Sequence, residues 1–164
     1  MAFDAFLKID GIPGESKDAN HKDWSEIISF RQVMAQPTSS TAGSAGGASA
    51  GRANLADFVI VKALDKASTK IYEACCKGQH IATVAIELCH TGGAKYLEIK
   101  LNEVIISGVD SSGNATGADS FPCETVSFNF AKITWSYTQQ ARADGSAGGN
   151  VTGSWDLLKG ASLD

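Results

Sequence analysis

No apolar run in the 164 residues approaches the roughly 20 that a membrane-spanning helix requires, so insertion into a bilayer is not expected. Basic residues do not predominate either: 14 Lys and Arg stand against 18 Asp and Glu, a net charge of −4. That balance lacks the cationic footprint of a nucleic-acid binder. The four cysteines, Cys75, Cys76, Cys89 and Cys123, show no C-x2-C spacing, which removes the usual signature of a zinc site. Free, buried thiols are the simpler reading. A basic leader with an apolar core is missing too. The opening MAFDAFLKIDG carries Asp4 and Lys8 and alternates like a strand. A cleaved signal is therefore not expected. Cytoplasmic synthesis is, followed by export, if any, along a route that needs no leader. On that reading NAT and NVT are chance matches to the glycosylation sequon.

Catalytic groupings are equally thin. An enzyme needs a nucleophile beside a base, paired carboxylates or a metal shell. His21, His80 and His90 are scattered. Cys89 and His90 are neighbours in a strand-like run and so point to opposite faces. His21 sits in the polar stretch KDANHKDW and reads as solvated. His80 follows a helix, where a cation suits the C-terminus. The glycine-rich GSAGGASAG lacks the Gly-Lys-Ser/Thr that ends a phosphate loop. Glu124, just after Pro122 and Cys123, either pairs with a lysine or is a solvated strand end. No enzyme activity, cofactor or metal is expected from these residues.

Strand patterns dominate what is present. At 43% hydrophobic and 20% charged, the composition is that of an ordinary globular chain, and residues 1–164 read as one domain. Phe3–Asp10 alternates, with GIPGES as a turn behind it. Trp24–Gln36 reads as a second long strand with mixed faces. Pro37–Arg52, PTSSTAGSAGGASAGR, is a low-complexity loop of small residues that cannot offset its own ordering cost. Leu55–Lys62 is a β-branched strand. DKASTKIYEACCKGQ is the one helix, capped by Ser68 or Thr69, stopped by Gly78, and buried along Ile71, Cys75 and Tyr72. Ile81–Thr91, Tyr96–Val109, Glu124–Gln140 and a last run around Val151–Leu158 complete an all-β core with one helix.

Two runs change face partway. In ETVSFNFAKITWSYTQQ the apolar residues move from Val126, Phe128 and Phe130 to Ala131, Ile133, Trp135 and Tyr137. Leu97, Ile99 and Leu101 likewise give way to Val104 and Ile106. One extra residue, a bulge, would move every later side chain across the sheet. At about 3.3 Å per residue the run Glu124–Gln140 could reach roughly 50 Å. Such long bent strands can pass from one sheet into another and close a barrel or sandwich.

Several stretches carry a family resemblance in order along nearly the whole chain. They are FLKIDGIPGESKDANHKD, FVIVKALDKASTKIYEACCKGQHIATVAIELCHTGG, YLEIKLNEVIISGV, ETVSFNFAKITWSYTQQ and GSWDL. Together they resemble the Hcp family, the haemolysin-coregulated proteins of bacterial type VI secretion. The resemblance implies a small β-barrel of two packed antiparallel sheets with one flanking α-helix. It also implies homohexameric rings, stacked into an inner tube that a contractile sheath expels from the cell. A spike protein would ride at the tip and effector proteins in the lumen. No enzymatic activity is implied.

Ring geometry assigns surfaces. On Trp24–Gln36 the even face, with Trp24, Ile28, Phe30 and Met34, is expected to pack inward. The odd face, with Ser25, Ser29 and Arg31, is expected to line the lumen and touch effectors. Thr38, Ser44, Gly47, Arg52 and Asn54 are expected to make ring-stacking or subunit contacts, and their loop to order only against a neighbour. The competing reading is a free-standing β-sandwich binding module, for example for carbohydrate, using Trp135, Tyr137 and Trp155 on one exposed face.

Overall fold

A computed structural model gives the architecture of residues 2–39, 49–117, 121–140 and 147–163. The strands are β1 Phe3–Ile9, β2 Ser25–Glu26, β3 Ser29–Arg31, β4 Met34–Ala35, β5 Thr38–Ser39, β6 Ser49–Ala50, β7 Asn54–Leu55, β8 Phe58–Ala63, β9 His80–His90, β10 Lys95–Ser112, β11 Cys123–Gln140 and β12 Ala147–Asp156. One helix, α1 Ser68–Lys77, precedes β9. All the pairings are antiparallel, and the main sheet runs β2-β1-β9-β10-β11-β8-β3, with β12 also on β11.

Its two ends, β2 and β3, are separated by only Ile27 and Ile28. Leu7 faces Ser25 on one side of this short segment, and Val61 faces Ser29 on the other. The Ile27 amide donates to the Ala5 carbonyl at 2.9 Å, and the next amide, Ile28, donates to Val61 at 2.7 Å. The sheet therefore closes on itself, which removes two edges at once. This crossing corrects the expectation of one strand over residues 24–36. A segment that changes partner must turn, so its alternation breaks phase between Ile28 and Ser29, both of them exposed. Ser25 and Ile27 go inward, while Ile28 and Met34 are exposed at 59% and 56%. Phe30 is half-buried and stacks on Phe58 with ring centroids 6.0 Å apart.

Opposite β10, the other edge of β11 serves two partners in turn, as its length suggests. Residues 123–128 pair with β8 and residues 132–140 with β12. The change of face has a different origin from a bulge, however. Inward-facing Leu101 and Val104 oppose Ile133 and Phe130 on β11, and Val84 and Ile81 on β9. Partner numbers sum to 234 and 185 on both sides of the switch, so no register slips there. Three strands change face in step, along the row Ala82, Glu103, Ala131. Glu103 takes up the turn with φ +53°, a left-handed conformation that an L-residue adopts at a cost. Register shifts occur elsewhere, between Ile106 and Gly108, Lys95 and Leu97, and Thr138 and Gln140. The result is a folded sheet around one core, in which Leu7, Phe58, Ile60, Ile71, Val84, Ile86, Leu101, Phe128 and Ile133 are essentially sealed.

Helix α1 covers β10, and Tyr72 Oη lies 2.7 Å from Ser111 Oγ beyond the reach of β9. Gly78 ends the helix in the left-handed conformation at φ 59°, as expected. The start differs from expectation: Ser68 is already helical, and Asp65 does the capping. Its Oδ1 accepts from the Ala67 amide at 2.9 Å, while Ser68 Oγ accepts from the Asp65 amide at 3.0 Å. Ile71 is buried as expected, with Ser68 and Ala74, while Tyr72 and Cys75 are half-buried against the core. All four cysteines are free, but only Cys89 is buried; Cys76 is exposed.

The shared fold line makes a stability prediction at Glu103. Asn tolerates the left-handed region and a β-branched residue does not. Glu103→Asn should leave the urea midpoint near wild type, and Glu103→Val should lower stability by about 1–2 kcal/mol. Equal effects from both would argue against a backbone cause.

Candidate functional site

Three surfaces and two buried clusters emerge. The first surface is a hairpin arm. Met34 and Ala35 pair with Leu55 and Asn54, and Thr38 and Ser39 pair with Ala50 and Ser49. The loop expected over residues 37–52 thus has an ordered antiparallel base, held further by the Gly51 amide donating to Pro37 at 2.8 Å. Arg52 Nη2 donates to the Leu157 carbonyl at 2.8 Å and ties the arm to the C-terminal region. Thr38, Arg52 and Asn54 are exposed on it. Ser44 and Gly47 lie outside the described residues.

The second surface is β3. Ser29 and Arg31 are exposed there, opposite Val61 and Val59. Ser25 is not part of it. Its side chain is 4% exposed and its hydroxyl donates to Asp65 Oδ2 at 2.6 Å. Ser25 therefore cannot line a channel: it holds the segment to the helix-capping loop.

The third surface is the outer part of the β11–β12 ribbon, where β12 pairs with β11 alone. Ile133 is sealed, Trp135 and Trp155 are half-buried, and Tyr137 and Val151 are 49% and 68% exposed. One apolar stripe thus runs from the core out to solvent. Trp135 Nε1 donates to Gln32 Oε1 at 3.1 Å and faces Gly153, which keeps the ring close to the sheet. The aromatics do not form the flat exposed platform that a carbohydrate module would use.

One buried cluster joins the barrel to the helix. Lys62, 0% exposed, donates to Glu124 Oε1 at 2.7 Å, Asp65 Oδ1 at 2.8 Å and the Ala63 carbonyl at 2.9 Å. Ser68 Oγ adds a bond to Glu124 at 2.9 Å. Glu124 Oε2 has no partner. Of the two readings of Glu124, pairing with a lysine is the one realised. Lys62 and Glu124 oppose each other on β8 and β11, a cross-strand relation that only the topology reveals.

The other cluster lies under the loop between β1 and β2. His21 was expected in solvent, yet is 3% exposed. Its ring stacks on Phe6 at 4.0 Å and meets Trp24 edge-on. Nδ1 is 2.7 Å from Asp18 Oδ1, Nε2 is 2.8 Å from Glu87 Oε2, and Cys89 Sγ is 3.9 Å from Nε2. Hydrogen bonding from His21 holds the Asp18 carboxyl below its ordinary range. Burial, and then the charge of Glu87, push the Cys89 thiol up, so this sulfur is no activated nucleophile. The i,i+3 pair Asp18 and His21 was readable; the approach of β9 was not. His80 is exposed, and His90 packs against Tyr96 with ring centroids 4.5 Å apart.

Among the described residues the chain is a closed antiparallel barrel with one helix, a hairpin arm and a β11–β12 ribbon. Among the described residues no helix is long and apolar enough to cross a membrane. Residues 6–137 match the family model "Type VI secretion system effector, Hcp". Protein hcp1 of Pseudomonas aeruginosa is 34% identical over 161 residues, 96% of each chain. A solved "type six secretion system protein" superposes with TM-score 0.91 at 30% identity, over 98% of this chain and 99% of that one. Hcp1 from Salmonella typhimurium gives 0.81 at 29%, over 99% and 100%. The chain belongs to the Hcp family, the secreted structural proteins of type VI secretion.

The Lys62 cluster is testable by stability. Lys62→Met leaves Glu124 and Asp65 facing each other without their cation and should cost about 3–5 kcal/mol in urea unfolding. Glu124→Gln should cost less in the Lys62→Met background than alone, as directly coupled partners require. Additive effects would contradict the coupling.

Proposed function

We propose that this protein is the repeating subunit of the secretion tube. Six copies close a ring, rings stack, a contractile sheath drives the column outward, a spike caps it, and effectors travel inside. The observation that carries this reading is exposed apolar surface beside unpaired strand. Ile28, Met34, Tyr137 and Val151 face solvent although the barrel is already closed, and among the described residues β12 pairs with no strand but β11. Singly exposed apolar residues are ordinary; next to an unpaired edge they suit a neighbour that completes the sheet. A head-to-tail contact of that kind closes into a ring when its rotation allows. Ser29 and Arg31 are the lumen-facing residues of this reading. Thr38, Arg52 and Asn54 on the arm touch the next subunit or ring, with Ser44 and Gly47 assigned to the same contact from sequence.

Native mass spectrometry of the purified chain tests it. Six copies of 17.1 kDa give a species of about 103 kDa. Tyr137→Asp with Val151→Asp should shift the population toward 17.1 kDa while leaving the circular dichroism of the barrel unchanged. A wild-type protein that stays at 17.1 kDa at high concentration would overturn the reading.

A further inference from the structure

We propose that His21 Nε2, Glu87 Oε2 and Cys89 Sγ form a zinc-binding site beneath the β1–β2 loop. The ligand atoms lie within 4.8 Å of one another and combine the nitrogen, oxygen and sulfur donors that Zn2+ accepts. Glu87 and Cys89 are two apart on β9 and share its outer face, while His21 descends on them from the loop. With bonds of about 2.0 Å to nitrogen and about 2.3 Å to sulfur, the 3.9 Å gap between Nε2 and Sγ subtends about 130° at a metal. The 2.8 Å separation of Nε2 and Oε2 subtends roughly 89° with bonds of about 2.0 Å, and a small rotation of Glu87 opens it.

The surroundings fit the same assignment. Asp18 on Nδ1 gives the carboxylate–histidine arrangement that orients a ligating imidazole. It leaves Nε2 aimed at Glu87 and Cys89. Both ring nitrogens face carboxylate oxygens, Asp18 at Nδ1 and Glu87 at Nε2, so a cation at Nε2 would sit among acidic groups. Asp4, across from Cys89 on β1, adds negative charge, and Lys95, bonded to Glu87 Oε1 at 3.0 Å, sets the opposite limit. Glu87 also lines an open groove of about 340 Å³ with Lys8, Asp10, Trp24, Glu98 and Lys100. Binding breaks the Cys89 S–H bond, and that proton leaves to solvent, with any proton carried on Nε2, as the sulfur, nitrogen and oxygen bonds to zinc form.

The test is titration of the reduced, metal-stripped full chain with Co2+ and then Zn2+. One ion per chain is expected, with a near-ultraviolet thiolate-to-cobalt band that zinc abolishes. Cys89→Ser should lose the band and Cys76→Ser should keep it. Asp18→Asn should weaken zinc binding by about 10- to 100-fold. Absence of the band in wild type, or its survival in Cys89→Ser, overturns the site. Should Cys89→Ser not fold, Glu87→Gln decides instead: unchanged zinc affinity refutes the assignment.

Discussion

Closure of the sheet depends on seven residues, 25–31, that hydrogen-bond first to β1 and then to β8. Without them the main sheet would end in two open edges. With them, β1, β9, β10, β11 and β8 enclose one core. Tethers at the start of the segment fix where the crossing happens: Ser25 is bonded to Asp65, Asp65 to Lys62, and Lys62 to Glu124. The seam, the helix start and the two central strands are thus held by one buried polar network. Such a network is costly to break and specifies a particular arrangement.

The folded row Ala82, Glu103, Ala131 gives the seam its purpose. Because three strands change face together, the sheet bends without losing register, and β11 can hand its edge from β8 to β12. What remains outside the barrel is then displaced from the core: the arm of β4 to β7 and the β11–β12 ribbon. Among the described residues these elements carry exposed apolar groups, Met34 on the arm and Tyr137 and Val151 on the ribbon. Under the proposed function they are the surfaces that copies of the same chain would cover.

Much of this could be read from residues. The long β11 run, the face changes near Leu101 and Phe130, the Gly78 stop and the family motifs all have local signals. Other features are not local. Alternation in 24–36 suggested one strand, because sequence periodicity cannot register a change of partner between Ile27 and Ile28. The coordinated fold looked like a bulge, since one strand viewed alone cannot reveal that its neighbours bend with it. His21 looked solvated for a similar reason. Its flanking residues are polar, but what buries it is Phe6, Trp24 and the outer face of β9, up to 68 positions away. Ser25 misled in the same manner, a small polar residue whose partner, Asp65, lies 40 positions on.

Amide hydrogen exchange, resolved by residue under native conditions, tests the seam most directly. If residues 25–31 close the barrel, the amides of Ile27 and Ile28 should exchange only with global unfolding, at the rate of Val126 and Ile86 in the core strands. Exchange of Ile27 and Ile28 through an early local opening, while Val126 and Ile86 stay protected, would mean the sheet stands without its seam and would contradict the account.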